Sequence, residues 1–202
     1  MVADPIPALS QAIGVVSQVV GAVGEGDWQR TTPCPEWTVR ELVAHMTEGN
    51  ERIAARLVGR ADTSPANGGN TDPRDAYRRS AERLLEAVGS PGALKGSVAL
   101  SGPGGTPIGD IPASVAVQMR TVDNLVHGWD LAVALGRPLA CPDALAATAL
   151  EMTEAIRSCL PPFPAGMAPP FGPPVPVGPD SPPIDRLVAM LGRRPPSARS
   201  SS

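Results

Sequence analysis

The distribution of proline is the feature that most constrains how this chain can fold. A proline has no backbone N–H and breaks the interior of a helix, and the sequence of 202 residues contains 25 of them. They are concentrated in the segment 28–37 and in a long run over 161–183. Helices are therefore expected in the remaining stretches, and the late run is predicted to be an extended strap over the surface.

Apolar residues recur every three or four positions in those remaining stretches, which is the spacing of an amphipathic helix. Thr38 to Glu41 fits a capping box and marks the start of the second helix. The sequence predicts helices over 6–23, 38–58, 73–87, 113–135 and 142–160, and a short helix over 183–191. The piece over 96–111 fits either a small β-hairpin or a plain loop.

The composition favours an all-α protein. Hydrophobic residues make up 42% of the chain and aromatic residues only 3%, so alanine, valine and leucine must fill most of the core, which suits closely packed helices. We expect one domain, with a four-helix bundle over 1–160 and a proline-rich strap and short helix over 161–193. A disordered tail is expected over 194–202, where arginine, proline and serine dominate.

Charge and cysteine content exclude several functional classes. The net charge is −3 and the pI about 5.4, so the chain lacks the basic footprint of a nucleic-acid-binding protein. Neither an apolar run of membrane-spanning length nor a signal peptide is recognisable, so we expect a cytoplasmic protein with no membrane partner. Three scattered cysteines argue against a disulfide framework or a cysteine-rich zinc module. Cys34 is expected to be a small buried residue rather than a nucleophile.

The chain contains only two histidines, and both fall in the middle of predicted helices. Asp123 precedes His127 by four residues, so both side chains project from one face of a helix and could clamp a metal ion. His45 lies on a second helix of the same bundle, so the two imidazoles could converge. The spacing alone is more typical of an ordinary helix pair and a hydrogen-bonded core histidine than of a metal site. Asp130 could orient the imidazole of His127 or could be a solvated carboxylate.

Other candidate residues have simpler interpretations. Glu41 lies four residues before His45, but its place in the capping box explains it better than a ligand role does. Trp37 and Trp129 are expected to anchor the core rather than to form a substrate platform. The sequence contains no GxSxG, P-loop or helix-initiating GxGxxG motif, which argues against the catalytic and nucleotide-binding sites that these motifs mark.

Two separated motifs contain the two histidines. The segments TPCPEWTVRELVAHM, residues 32–46, and VHGWDLA, residues 126–132, resemble those of the actinobacterial relatives of mycothiol-dependent maleylpyruvate isomerase. These relatives belong to the DinB-like superfamily of metal-binding four-helix bundles. Phe171-Gly172, the segment 175–180, Arg186-Leu187 and Leu191-Gly192-Arg193 resemble a short subgroup of the same relatives. The resemblance spans residues 6–193.

The resemblance implies a ligand set and a co-substrate. It makes His45, Asp123 and His127 the ligands of a divalent metal, with zinc as first choice and nickel or iron as alternatives. Asp123 stands where the family commonly has glutamate, which is one methylene longer. The resemblance also implies mycothiol as a low-molecular-weight thiol co-substrate, a small electrophilic substrate and a homodimer. Because the isomerases carry a C-terminal domain that this sequence has no room for, we expect the bundle and metal site without the specific isomerase activity.

Two functions of different classes are compatible with these residues. A metal ion with an open coordination position would favour a deprotonated thiol and make the protein a thiol-dependent transferase or isomerase-like enzyme, with its catalytic acid and base unassigned. The alternative is a non-catalytic metal-binding protein, such as a sensor or an interaction protein. A metal-free helical module is a third reading, and it requires the motif resemblance to be accidental.

Overall fold

The computed structural model describes residues 4–60, 71–101, 106–160 and 171–196. Its elements follow the proline-free stretches of the sequence. In chain order they are α1 Ile6–Gly21, α2 Val39–Leu57, α3 Pro73–Gly89, β1 Ser97–Ser101, β2 Pro107–Pro112, α4 Ala113–Ala134, α5 Asp143–Cys159 and α6 Pro183–Met190, with a short 3₁₀ turn over Glu25–Asp27. No helix in this described part of the chain is long and apolar enough to cross a membrane.

Four of these helices form a closed ring around one core. Helix α1 packs against α4 and α3, and α2 packs against the same two helices from the other side. Leu9, Leu42, Leu84 and Leu125, one from each helix, are all fully buried at 0% exposure. A Cβ atom added to Gly128 would lie only 2.7 Å from Cγ2 of Val16, so this glycine lets α4 approach α1 closely. The predicted all-α four-helix bundle is confirmed.

The start of α2 is fixed by the predicted capping box. Thr38 has extended backbone angles, and its hydroxyl oxygen accepts the Glu41 N–H at 3.4 Å. Glu41 in turn accepts the Thr38 backbone N–H at 2.8 Å. This exchange satisfies amide groups that have no partner within the helix, and it confirms the capping role of Glu41.

The segment that the sequence left undecided forms two antiparallel strands. Val98 of β1 pairs with Ile111 of β2, and the two side chains pack with Ala113 and Ala116 at the start of α4 in a small cluster of their own. The glycine-rich stretch 102–105 between the strands lies outside the described residues. The hairpin therefore adds a second, minor apolar cluster beside the bundle.

The C-terminal third of the chain covers one side of the bundle. Helix α5 packs against α4 and α1, and α6 packs against α5. Residues 161–170 of the predicted strap lie outside the described part of the chain. Residues 171–182 form neither helix nor strand: the Val175 N–H donates to the Ala189 carbonyl at 2.9 Å, and a turn follows in which the Ser181 N–H donates to the Gly178 carbonyl at 3.1 Å. Of the predicted tail over 194–202, the structure describes 194–196, in which Pro195 is buried. Residues 197–202 lie outside the described residues.

Candidate metal centre

The two histidines converge because α2 and α4 are neighbours in the bundle. The centroids of the His45 and His127 rings lie 5.0 Å apart. Nε2 of His127 lies 3.4 Å from one carboxylate oxygen of Asp123, and Nε2 of His45 lies 4.0 Å from the other. All three residues offer ligand atoms within 4.8 Å of one another. The structure thus brings together the three residues that the resemblance implied as ligands.

His45 forms the more exposed side of this group. Its side chain is 34% exposed, and that of Asp123 is 22% exposed, whereas that of His127 is only 4% exposed. Burial lowers the pKa of His45 to about 4, although the nearby Asp123 carboxylate opposes the shift. The imidazole is therefore neutral at pH 7, which is the protonation state that a metal ligand needs.

His127 lies between two carboxylates. Burial alone would lower its pKa, but Asp123 on one side and Asp130 on the other raise it well above its usual value. Nδ1 is 3.1 Å from an Asp130 oxygen, which leaves Nε2 facing Asp123 and His45. In the metal-free chain the ring is expected to carry a proton on Nε2, and a bound metal ion would take the place of that proton.

Asp130 connects His127 to the C-terminal segment. It is fully buried, so it is not the solvated carboxylate that the sequence left open. Arg193 donates to both of its oxygens, at 2.8 and 3.2 Å, in a bidentate ion pair. Against the opposing effect of burial, hydrogen bonds from His127 and Arg193 lower the pKa of Asp130. Asp130 is therefore ionised and is positioned to orient the imidazole.

Cys34 and Arg193 complete this side of the centre. The Cys34 sulfur lies 3.2 Å from Asp130, 3.2 Å from Arg193 and 4.0 Å from Nδ1 of His127. Cys34, His127 and Asp130 form a second group that could in principle hold an ion. The guanidinium of Arg193 already supplies the positive charge there and contacts both Asp130 and the sulfur. The metal-ligand chemistry therefore favours the side of His127 that faces His45.

Trp37 contributes to the centre from the loop before α2. Its ring stacks on His45, with centroids 4.3 Å apart and planes 30° apart, and it meets the His127 ring at 5.6 Å. Trp129 is 7% exposed and packs in the core as expected. Trp37 also borders the core, as expected for a core anchor. Its contact with both imidazoles makes it part of the site as well, and the sequence did not predict that contact.

Arg120 lies one turn before Asp123 on the same helix and forms an ion pair with its carboxylate. Burial raises the pKa of Asp123, but Arg120 and His127 outweigh it and hold that pKa well below its usual range. The guanidinium of Arg120 fills the space that a side chain at Gly49 would occupy. Nη2 of Arg120 and Oδ2 of Asp123 are the two atoms of this ion pair, whereas Nε of Arg120 has no hydrogen-bond partner among the described residues.

The donor set fits a divalent metal ion. Two neutral imidazoles and one carboxylate are borderline and hard ligands, and three protein ligands leave an open position, as in catalytic zinc sites. The 3.4 Å separation between Nε2 of His127 and Oδ1 of Asp123 is close to that of two tetrahedral ligands that share one ion at about 2.0–2.2 Å, and Nε2 of His45 lies 4.0 Å from the other carboxylate oxygen. Oδ2 of Asp123 is paired with Arg120, so Oδ1, which lies 3.4 Å from Nε2 of His127, is the oxygen available to such an ion.

The sequence pattern missed four residues of this site. Cys34 and Trp37 belong to the proline-rich motif before α2. Apolar periodicity carries no information about such a loop, so the motif itself was the only sequence signal that could have pointed to these two residues. Arg193 ends the C-terminal motif, 159 residues away from Cys34. Arg120 is spaced one turn before Asp123, and that spacing alone could have suggested an ion pair.

Comparisons with known proteins identify relatives of this chain. The sequence model of the family described as the mycothiol maleylpyruvate isomerase N-terminal domain matches residues 9–132. Two proteins of Mycobacterium tuberculosis, the uncharacterized proteins MT0763 of strain CDC 1551 and Rv0738 of strain H37Rv, are each 32% identical over 192 residues. Those alignments cover 94% of this chain and 98% of each relative.

A solved structure shares the fold. It is the crystal structure of a mutant of the mycothiol-dependent maleylpyruvate isomerase, with a TM-score of 0.52 and 19% sequence identity. The match covers 71% of this chain and 65% of that chain, so the similarity spans slightly less than two thirds of the isomerase. The family match includes both histidine motifs. This chain therefore belongs to the mycothiol maleylpyruvate isomerase N-terminal domain family.

Proposed function

We propose that this protein binds a divalent metal ion through His45, Asp123 and His127 and acts as a mycothiol-dependent transferase or isomerase-like enzyme on a small electrophilic substrate. The observation that carries the proposal is the convergence of these three ligands, within 4.8 Å, on one side of His127. Zinc is the first choice of metal, with nickel or iron as alternatives. The family supplies the second part of the proposal, because its description names mycothiol.

The protein's own residues would orient the ligands. Asp130 accepts a hydrogen bond from Nδ1 of His127, so Nε2 is directed at the metal position. Trp37 stacks on His45 and would restrict the rotation of that ring. Arg193 holds Asp130 from the opposite side and thereby ties the C-terminal segment to the ligand. A loop, two helices and Arg193 of the C-terminal segment would together keep the site in one geometry.

The metal ion, when bound, would supply a positive charge that favours the deprotonated form of a thiol at neutral pH. The exposed side of His45 and Asp123 is where thiol and substrate would enter. Both histidines are assigned as ligands, so acid or base catalysis would be left to a carboxylate or to water. We assign no catalytic acid or base.

Thiol consumption tests the enzymatic part of the proposal. The metal-loaded protein is incubated with mycothiol and a panel of small electrophiles that includes maleylpyruvate, and free thiol is followed over time. We expect consumption above the uncatalysed rate with at least one electrophile, and loss of that excess in His127→Ala. Arg78→Gln is the matched control, because Arg78 is an exposed α3 residue that pairs with Glu82.

The outcomes separate the two classes of function. Stoichiometric metal without thiol consumption across the panel would favour the non-catalytic metal-binding protein. Consumption that is equal in the wild type and in His127→Ala would place the activity elsewhere and contradict the proposal.

A further inference from the structure

A cavity of about 340 Å³ lies between the C-terminal end of α4 and the start of α6. It is separate from the candidate metal centre, because its α4 residues Trp129 and Val133 follow His127 by two and six positions and therefore lie on the opposite side of that helix. Pockets that bind small molecules have volumes of roughly 300–1,000 Å³. This cavity is at the small end of that range, which suits a ligand the size of one amino acid rather than a large cofactor.

Four apolar residues line the cavity, namely Trp129, Val133, Leu139 and Ile184. Trp129 and Leu139 are buried, at 7% and 8% exposure. Val133 is 43% exposed, and in the described part of the chain only one other large hydrophobic side chain is exposed. Covering an exposed apolar side chain in a concave site is favourable. The cavity therefore offers a surface for the apolar part of a ligand.

Two opposite charges line the same cavity. Arg137 comes directly after Gly136, whose φ of +70° reverses the chain at the end of α4, and Asp185 lies in the first turn of α6. Neither side chain has an ion-pair or hydrogen-bond partner among the described residues. Asp27 lies within electrostatic reach of Arg137, but it is paired with Arg30 at 3.2 Å. Both charges of the cavity are thus available to a ligand.

A ligand that covers the apolar residues must also satisfy both of these charges. A purely apolar molecule would remove water from the guanidinium and the carboxylate without replacing it, which is costly. A ligand carboxylate would pair with Arg137, and a ligand ammonium group would pair with Asp185. The start of α6 also favours a carboxylate, because no side chain caps its N–H groups.

We propose that this cavity binds a free apolar α-amino acid. The carboxylate of the amino acid pairs with Arg137, its ammonium group pairs with Asp185, and its side chain covers Val133 and contacts Trp129 and Leu139. The site needs no metal ion, so the inference is independent of the proposed function.

Calorimetric titration of the full-length protein with leucine and with phenylalanine tests the proposal. We expect saturable binding of at least one of them, and none of glycine, which has the charged groups without an apolar side chain. Arg137→Gln and Asp185→Asn should each weaken binding by about 10-fold, the lower end of the effect of a lost charge-assisted hydrogen bond, because both residues are accessible to solvent. Arg78→Gln, which removes an exposed arginine on α3, should bind as the wild type does.

Derivatives of the amino acid that binds identify the group that each residue recognises. The amide lacks the carboxylate and the N-acetyl derivative lacks the ammonium group, so both should bind more weakly. Arg137→Gln should not weaken the amide further, and Asp185→Asn should not weaken the N-acetyl derivative further. A peptide terminus carries only one of the two charges and should bind as weakly as these derivatives. Derivatives that bind as tightly as the free amino acid would overturn the inference.

Metal removal separates this cavity from the metal centre. An amino acid can itself coordinate a metal ion through nitrogen and oxygen, so the titration is repeated in excess chelator and with His127→Ala. We expect the same affinity in both cases. Binding confined to the metal-loaded protein would place the ligand at the metal centre and overturn this inference, while the proposed function would stand. Binding by a protein that never takes up metal would support this inference and contradict the proposed function.

A measurement on the wild type protects the test against a variant that fails to fold. The indole N–H signal of Trp129, identified by its absence in Trp129→Phe, should shift with the amino acid that binds, whereas the signals of Trp28 and Trp37 should not. Absence of saturable binding of either amino acid to the wild type would overturn the inference. Equal affinity in the wild type, Arg137→Gln and Asp185→Asn would overturn it as well.

Discussion

Asp123→Ala should lose its metal and also destabilise the metal-free protein. The substitution removes one of three proposed ligands. Replacing a residue that only hydrogen-bonds a ligand weakens metal affinity by roughly 10- to 100-fold, and we expect a larger loss here. It also leaves the buried Arg120 without a counter-charge. Because Asp123 is 22% exposed, we expect a loss of about 2–3 kcal/mol in the free energy of unfolding, less than for a fully buried pair.

Asp123→Glu is the matched variant for this prediction. It keeps the charge and the ligand type and adds one methylene, so we expect it to retain metal and most of the stability. Metal affinity is measured by competition with a chromophoric chelator, and stability by urea denaturation in excess chelator. An alanine variant that binds metal as tightly as the glutamate variant would contradict the role of Asp123.

Asp130→Ala should produce the largest loss of stability among the site variants. Asp130 is fully buried and Arg193 is 10% exposed, so the substitution leaves a mostly buried guanidinium without its partner. Removing one member of a buried ion pair costs about 3–5 kcal/mol. The imidazole of His127 also loses the acceptor at 3.1 Å, so metal affinity should fall by about 10- to 100-fold.

The control for this prediction is Asp180→Ala, which removes an exposed carboxylate in the C-terminal segment. It should change the free energy of unfolding by no more than about 0.5 kcal/mol. Urea denaturation with chelator gives the stability of each variant, and chelator competition gives the metal affinity. If Asp130→Ala were as stable as Asp180→Ala, Asp130 would not be the link between His127 and the C-terminal segment.

Much of the fold was predictable because the positions of the helices follow from residues that are close together in the sequence. Proline positions and apolar spacing placed the six described α-helices, with ends that differ by one or two residues, but not the short 3₁₀ turn over Glu25–Asp27. Helix α1, for example, ends at Gly21 rather than at residue 23. The hairpin was undecided, since its strands are held by pairing with each other and by contact with Ala113 and Ala116, which a sequence window does not contain.

The site was predictable only where one helix carried it. Asp123 and His127 share a helical face, and the scarcity of histidine left His45 as the second imidazole. Arg193 and Cys34 meet Asp130 only after the C-terminal segment has folded back over the bundle. At that turn Gly192 has a φ of +86° and passes so close to Gly172 that a Cβ would lie 2.8 Å from its Cα. Neither glycine belongs to a periodic apolar pattern that would indicate this close approach of the two backbone segments.

Metal content is the measurement that tests the central claim most directly. Protein purified without chelator is analysed by inductively coupled plasma mass spectrometry, as the wild type, His45→Ala, His127→Ala and the surface control Arg78→Gln. We predict about one divalent ion per chain in the wild type and in Arg78→Gln, and almost none in either histidine variant. Metal content unchanged in both folded histidine variants would contradict the assignment of His45 and His127 as ligands.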